Sequence, residues 1–316
     1  MFFIGCDAAH AVDFRRYPVL LELADKMVRE DGYPRAQLEA VLGEAAIDPS
    51  VTRAMDRQYE ALPWYKYRER FINDERVRKG VAYWNRHEAV LRRAAREYGV
   101  PPAVVVALIG VETHFGTRMG GRRVLDSLVT LAAEYPRRSA YFSRELRVFL
   151  NTARAENIAP GSVTGSFAGA IGIPQFMPSS YQEYAVDFNR NGRRDLVNES
   201  EDAIGSVGNY LKRHGWTGGQ AIFAPLREPL SAAAASLVSK RAKPTLTAAQ
   251  LAEAGVTVDT AGASTRMALL RLREQQGYRH FIGFGNFYAI TRYNPSVNYA
   301  MAVVELSRRI SRERRP

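Results

Sequence analysis

The run Val104-Val105-Val106-Ala107-Leu108-Ile109-Gly110-Val111-Glu112-Thr113-His114-Phe115-Gly116 constrains this chain more than any other stretch. It lies behind Pro101 and Pro102, placed as first-turn prolines, and before a stop at Gly116. Apolar residues cover every side of nearly three turns, and a helix of that kind has to be wrapped by other elements. It is too short to cross a bilayer, which takes about 20 apolar residues. The spacing therefore predicts a core helix over 103–115 carrying one charge, Glu112. Burial disfavours the ionised form of a carboxyl and should raise its pKa, the condition for a general acid near neutral pH. A carboxylate paired with a nearby Arg, or capping another helix, fits the same residues. Gly110, with no side chain beside the carboxylate, is read as leaving room for a substrate. His114, two residues on, is expected on a partly exposed flank.

Composition narrows the classes. The 316 residues are 46% hydrophobic and 24% charged, which excludes a disordered tail, a collagen-like chain and a coiled coil. No apolar run reaches spanning length, so no membrane-spanning helix is expected. Lys and Arg number 44 against 33 Asp and Glu, a net charge of +11. That balance suits an anionic polymer, and because the charge is dispersed with no basic run, nucleic acid is not the expected partner. Cys6 is the single cysteine, which removes intrachain disulfide, zinc-finger and CxxC readings. Phe2-Phe3-Ile4-Gly5-Cys6 has the form of a lipoprotein signal tail, and Ala9-His10-Ala11 offers an A-x-A cleavage site. Export is expected, with anchoring through a lipid on Cys6 as one route.

The expected fold is mainly α (α+β) in five parts: a signal or lipidation segment 1–12, a helical lobe 13–100, a core 101–217, a small β-containing subdomain 218–282, and a C-terminal helical segment 283–316. Asn73 is placed to cap a long helix through Leu91 to Tyr98. Short strands are expected at 221–224, 255–258 and 267–272, and a helix at 248–254. The segment 286–310 reads as one returning helix. Of the aromatic stripe Trp64, Tyr65 and Tyr67, two are expected in the core.

Two further motifs carry chemistry. The stretch Gly165-Ser166-Phe167-Ala168-Gly169-Ala170-Ile171-Gly172-Ile173-Pro174-Gln175-Phe176-Met177-Pro178-Ser179-Ser180-Tyr181 lets backbone pass close to a ligand and offers hydroxyl, amide and flat apolar groups. Such a mixture suits a sugar groove, and equally a tight loop between helices. Asp187-Phe188-Asn189-Arg190-Asn191-Gly192-Arg193-Arg194-Asp195 follows an EF-hand loop at positions one, three, five, six and nine. Position twelve is Asn198, where a bidentate Glu is expected, and Glu199 falls one residue late.

Glu112-Thr113-His114-Phe115-Gly116, Tyr135-Pro136-Arg137-Arg138, the 165–181 stretch, Asp202-Ala203-Ile204-Gly205-Ser206-Val207 and Ile290-Thr291-Arg292-Tyr293-Asn294 together resemble the lytic murein transglycosylases of the MltB type, in order, from about Pro63 to Val304. The resemblance implies a lysozyme-like core and a bacterial enzyme that cleaves peptidoglycan between N-acetylmuramic acid and N-acetylglucosamine, leaving a 1,6-anhydromuramoyl end. It makes Glu112 the single catalytic acid/base. It makes Ser166, Gln175, Tyr67, Tyr210, Tyr293 and Tyr299 groove residues, and Arg137 and Arg138 a basic pair for substrate carboxylates. A weak structural calcium is implied in the loop 187–202, held by Asp187, Asn189, Asn191, the Arg193 carbonyl and Asp202; no cofactor is required for the chemistry. Asn191 stands where the family has Asp, and one residue is inserted before Asp202. The resemblance further implies a monomer, periplasmic in a Gram-negative bacterium, acting on glycan strands. A second carboxylate, needed by a hydrolase, has no motif, although Asp126 and Glu134 are placed to be near. A hydrolytic muramidase, a non-catalytic peptidoglycan-binding protein and a calcium-signalling protein are the competing functions.

Overall fold

The apolar run folds as the helix Pro102–Thr113, buried continuously from Ala103 to Val111. The protein, described here by a computed structural model over residues 10–11, 13–56, 62–226, 229–258 and 265–314, surrounds that helix with Trp64–Phe71, Asp74–Arg86, Glu88–Tyr98, Ser200–Arg213 and Val297–Arg314. Each turns an apolar face inward, among them Val77, Leu91, Ile204, Val207, Val303 and Leu306. No helix among the described residues is long and apolar enough to cross a membrane. Asn73 caps as expected, its side chain accepting the Arg76 amide at 2.9 Å. The long helix it opens is broken at His87 into two.

A second core is built differently from the expected lobe. Leu20, Leu23, Met27, Leu38, Leu42 and Val51, on helices Pro18–Asp31, Arg35–Gly43 and Pro49–Met55, pack with Leu125, Leu128, Phe142, Leu146 and Phe149 from Val124–Glu134 and Ser139–Ala155. The 13–100 segment is thus shared between two cores, and so is 101–217. Periodicity tells which face of a helix is apolar but not which partner covers it.

The insert has its own small core of Ala234, Leu251, Met267, Leu269, Ile282 and Phe284. Its sheet places Tyr278–Gly283 between Phe223–Pro225 and Ala268–Arg273, all antiparallel. Alternate side chains go to opposite faces: Ala268, Leu270 and Leu272 enter the main core, Leu269 the small one. The strand expected at 255–258 does not form. Gly255, at φ +81°, ends the helix Ala248–Glu253, and the Val256 amide bonds back to the Leu251 carbonyl at 2.8 Å. The C-terminal segment is likewise two helices, Gly285–Thr291 and Val297–Arg314. Pro295 lies in the break, where it and its predecessor disfavour helix, and Tyr293 sits in the same break.

Candidate active site

Glu112 is the penultimate residue of the buried helix and is itself half-buried. The Tyr299 hydroxyl, from the first turn of Val297–Arg314, donates to its Oε1. Tyr293 donates to the Pro174 carbonyl at 2.6 Å and Tyr210 to the Arg292 carbonyl at 2.5 Å, tying three separate segments together. The Tyr210 and Tyr293 rings lie 4.7 Å apart, and Phe176 is 5.5 and 5.7 Å from them. Burial pushes the Tyr293 and Tyr299 phenols up, and the nearby charge of Glu112 adds to it. Tyr67 belongs to the same buried core as Tyr210 and Tyr299. Tyr67, Tyr210 and Tyr299 are buried and form the wall behind the carboxylate; Tyr293 and Gln175 are more open. Of the aromatic stripe, Trp64 and Tyr67 are in the core and Tyr65 is half-exposed.

The small-residue stretch packs against this cluster through the Pro174 carbonyl and the Phe176 ring. The Ser166 hydroxyl accepts the Ala168 and Ala170 amides at 3.3 and 3.0 Å, leaving its own proton to donate. Gln175 has φ +52°, uncommon for a residue with a side chain. Its Nε2 donates to the Met119 and Gly172 carbonyls at 3.0 and 2.8 Å. Gly120 is required by close approach: a Cβ there would lie 2.1 Å from the Gly165 carbonyl oxygen. Arg137 and Arg138 stand apart from this cluster. Arg137 is exposed and 4.0 Å from Asp56, and Arg138 lies over the Tyr141 ring at 4.3 Å.

Several expectations need correction. Gly110 does not open a path for substrate: a Cβ there would fall 2.7 Å from the Phe115 ring, which fills the space. His114 is not on an exposed flank but buried, with Nε2 3.0 Å from Lys79 Nζ. The two spare carboxylates are held by the N-terminal segment, outside its helices. Asp126 accepts the Ala46 amide at 2.9 Å, and Glu134 the Tyr17 hydroxyl at 2.8 Å.

One residue that the motifs did not single out links the two sides. Thr113, fully buried, donates to the Ile173 carbonyl at 2.8 Å and accepts the Gly116 amide at 3.0 Å. It joins the end of the Glu112 helix to the loop carrying Gln175. Thr113→Val, of similar shape, should lower kcat about tenfold through misplacement of Glu112 while KM moves little, and Thr113→Ser should restore it. Equal activity in all three proteins would remove this role.

In the 187–202 loop, Asp187 accepts the Asn191 and Gly192 amides at 3.0 and 2.8 Å, a tight turn of EF-hand form. Glu199 gathers the loop: its oxygens accept from Asn189, from Asn191 at 2.9 and 3.0 Å, and from Arg193 Nη2 at 2.9 Å. Asp202 lies beneath, fully buried, with Oδ1 accepting the Phe188 and Asn189 amides at 2.7 and 3.2 Å and Oδ2 the Asp195 amide at 2.9 Å. Its oxygens are engaged in anchoring both ends of the loop, so the carboxylate facing the other donors is Glu199. Among the described residues no three His, Cys, Asp or Glu side chains converge for a metal. The donor set of two carboxylates, two Asn side chains and the Arg193 carbonyl fits a hard cation, while the Arg193 guanidinium on Glu199 competes with it.

The profile described as Transglycosylase SLT domain matches residues 16–308. The chain belongs to this family. It is a lytic murein transglycosylase with the mainly helical, lysozyme-like fold of that group. It is 43% identical over 310 residues to membrane-bound lytic murein transglycosylase B of Escherichia coli (strain K12), covering 95% of this chain and 84% of that one. The structure of the Escherichia coli lytic transglycosylase Slt35 in complex with calcium is similar at TM-score 0.86 and 44% identity, over 97% of this chain and 96% of that one. SltB3 from Pseudomonas aeruginosa, in complex with NAG-anhNAM-pentapeptide, is similar at TM-score 0.79 and 30% identity, over 92% and 78%.

Proposed function

We propose that this transglycosylase cleaves the β-1,4 bond between N-acetylmuramic acid and N-acetylglucosamine with Glu112 as its one acid and base. The observation that carries the reading is a carboxylate bonded by Tyr299 and backed by buried tyrosines, with Asp126 and Glu134, among the described residues, engaged by the Ala46 amide and the Tyr17 hydroxyl. Glu112 gives its proton to the glycosidic oxygen as the bond to the muramoyl anomeric carbon breaks. The resulting carboxylate then takes the proton of the muramoyl 6-hydroxyl as that oxygen bonds to the anomeric carbon. Water takes no part, so the product keeps the mass of the reactant. Tyr293, Gln175 and Ser166 orient the muramoyl unit, and Arg137 and Arg138 meet its carboxylates. Mass spectrometry of fragments released from sacculi tests this: each muramoyl end should be one water lighter than its hydrolysed counterpart. Reducing muramic acid ends would make the chain a muramidase.

The loop 187–199 would hold calcium, the ion with which the Slt35 structure is in complex, but weakly, because Asn189 and Asn191 bring no charge and Arg193 neutralises Glu199. Calcium should raise the melting temperature only at high micromolar to millimolar concentration. Submicromolar binding by calorimetry would refute that. The relative's membrane-bound name supports a place in the bacterial envelope, on its periplasmic side. Cys6 lies outside the described residues. As a lipid-attachment site it should give a membrane-associated form that Cys6→Ser releases; a soluble wild-type protein with an unmodified Cys6 would exclude lipid.

A further inference from the structure

Three side chains of the 187–199 loop converge on Glu199. Arg193 Nη2 donates to its Oε1 at 2.9 Å and lies 4.0 Å from Asp195 Oδ2. The two Asn side chains turn their NH2 groups the same way: Asn189 Nδ2 donates to Glu199 Oε2, and Asn191 Nδ2 reaches both oxygens at 2.9 and 3.0 Å. Their amide oxygens are taken by the turn, Asn189 Oδ1 by the Asn191 amide and Asn191 Oδ1 by the Arg193 amide, each at 3.1 Å. Glu199 thus accepts four hydrogen bonds, about the full capacity of a carboxylate. Calcium is held by oxygens, and the carboxylate best placed to hold it here is saturated by N–H donors, one of them charged.

The same guanidinium lies within 4.0 Å of two carboxylates, Asp195 and Glu199, which would repel one another with no cation between them. It therefore does for these acids what a bound ion does in a loop of this form. The shape of the loop matters beyond the loop itself. The Leu196 carbonyl accepts the Ile173 amide at 2.7 Å, and the Ile173 carbonyl accepts the Thr113 hydroxyl at 2.8 Å, one residue from Glu112. Gly172 runs so close to the loop that a Cβ there would fall 2.4 Å from the Leu196 carbonyl oxygen. A shift in the path of the loop is thus passed directly to the groove stretch and to the end of the Glu112 helix.

We propose that Arg193 is the loop's own cation: it takes the place of a metal ion at Glu199, keeps the loop and the groove stretch bonded to it in shape without calcium, and has to be displaced before calcium enters. This rests on the calcium reading of the loop given above. Calcium affinity by calorimetry and melting temperature in chelator are measured on the whole protein as wild type, Arg193→Met and Arg193→Lys. Arg193→Met keeps the backbone carbonyl and loses the charge. It should bind calcium about tenfold more tightly, because the affinity of such loops follows the charge of the donor set, and it should melt below the wild type in chelator. Arg193→Lys keeps the charge and should bind calcium as weakly as the wild type. Glu199→Gln added to Arg193→Met should cancel the gain, since the gain is the freed carboxylate. Wild-type melting temperature and turnover should be the same with and without chelator. Equal calcium affinity in wild type and Arg193→Met would overturn the proposal and leave the calcium reading in place, as would a gain that survives Glu199→Gln. A wild type that loses stability or turnover in chelator would show that the loop needs a metal despite Arg193. Calcium binding by neither protein would remove the calcium reading, and the competition with it.

Discussion

Glu112→Gln should leave glycan binding intact and lower turnover by at least about 10²-fold, the lower range for loss of a general acid and base. The amide keeps the size of the carboxyl and can still meet the Tyr299 hydroxyl, but it can neither give the leaving oxygen a proton nor take one from the 6-hydroxyl. In the proposed mechanism one group performs both transfers, so no second residue shares the loss. Binding and turnover have to be measured on the same protein, since weakened binding would indicate disturbed packing instead. A variant with near-normal turnover would remove Glu112 from the mechanism. Tyr299→Phe makes the complementary case: it leaves Glu112 able to transfer protons without its hydrogen bond and should cost less.

Asp202→Ala should be among the most destabilising single changes outside the apolar core. The carboxylate is fully buried and accepts three backbone amides at 2.7–3.2 Å. Its removal strands those donors at both ends of the loop, and a buried unsatisfied donor costs about 1–3 kcal/mol. A total near 3 kcal/mol, seen as a drop of several degrees in melting temperature, is expected with a chelator present. Asp202→Asn keeps an oxygen for Phe188 and Asn189 but turns an NH2 toward the Asp195 amide, so it should fall between. A loss in Asp202→Ala within about 0.5 kcal/mol, the range of ordinary surface substitutions, would show that the loop does not depend on this anchor.

Local pattern by itself determined a good deal. An apolar surface on all sides of 103–115 demanded a wrapped helix, and Pro102–Thr113 is wrapped. Asn73 before an amphipathic run specified a cap, because an acceptor side chain has few other uses there. The small residues of the 165–181 stretch specified a close approach of backbones, and Gly120 and Gly165 make one. Each of these depends on residues within a turn or two of one another.

What tertiary structure decided concerns partners distant in sequence. Tyr299 reaches Glu112 across 187 positions, and nothing in either segment states that distance; only the family resemblance pointed to the tyrosine. Gly110 looked like room for a ligand, but the chain folds back after two residues of positive φ, His114 and Phe115, and puts its own ring there. Apolar stripes on the first helices showed that they were covered, while the choice of the 124–155 helices as cover came from shape complementarity in three dimensions. Thr113 stands inside the Glu112–Gly116 motif, but no local pattern gave it a role. Its significance lies in what surrounds it, the Ile173 carbonyl of the adjoining loop, and burial of a polar group is a property of the assembled fold.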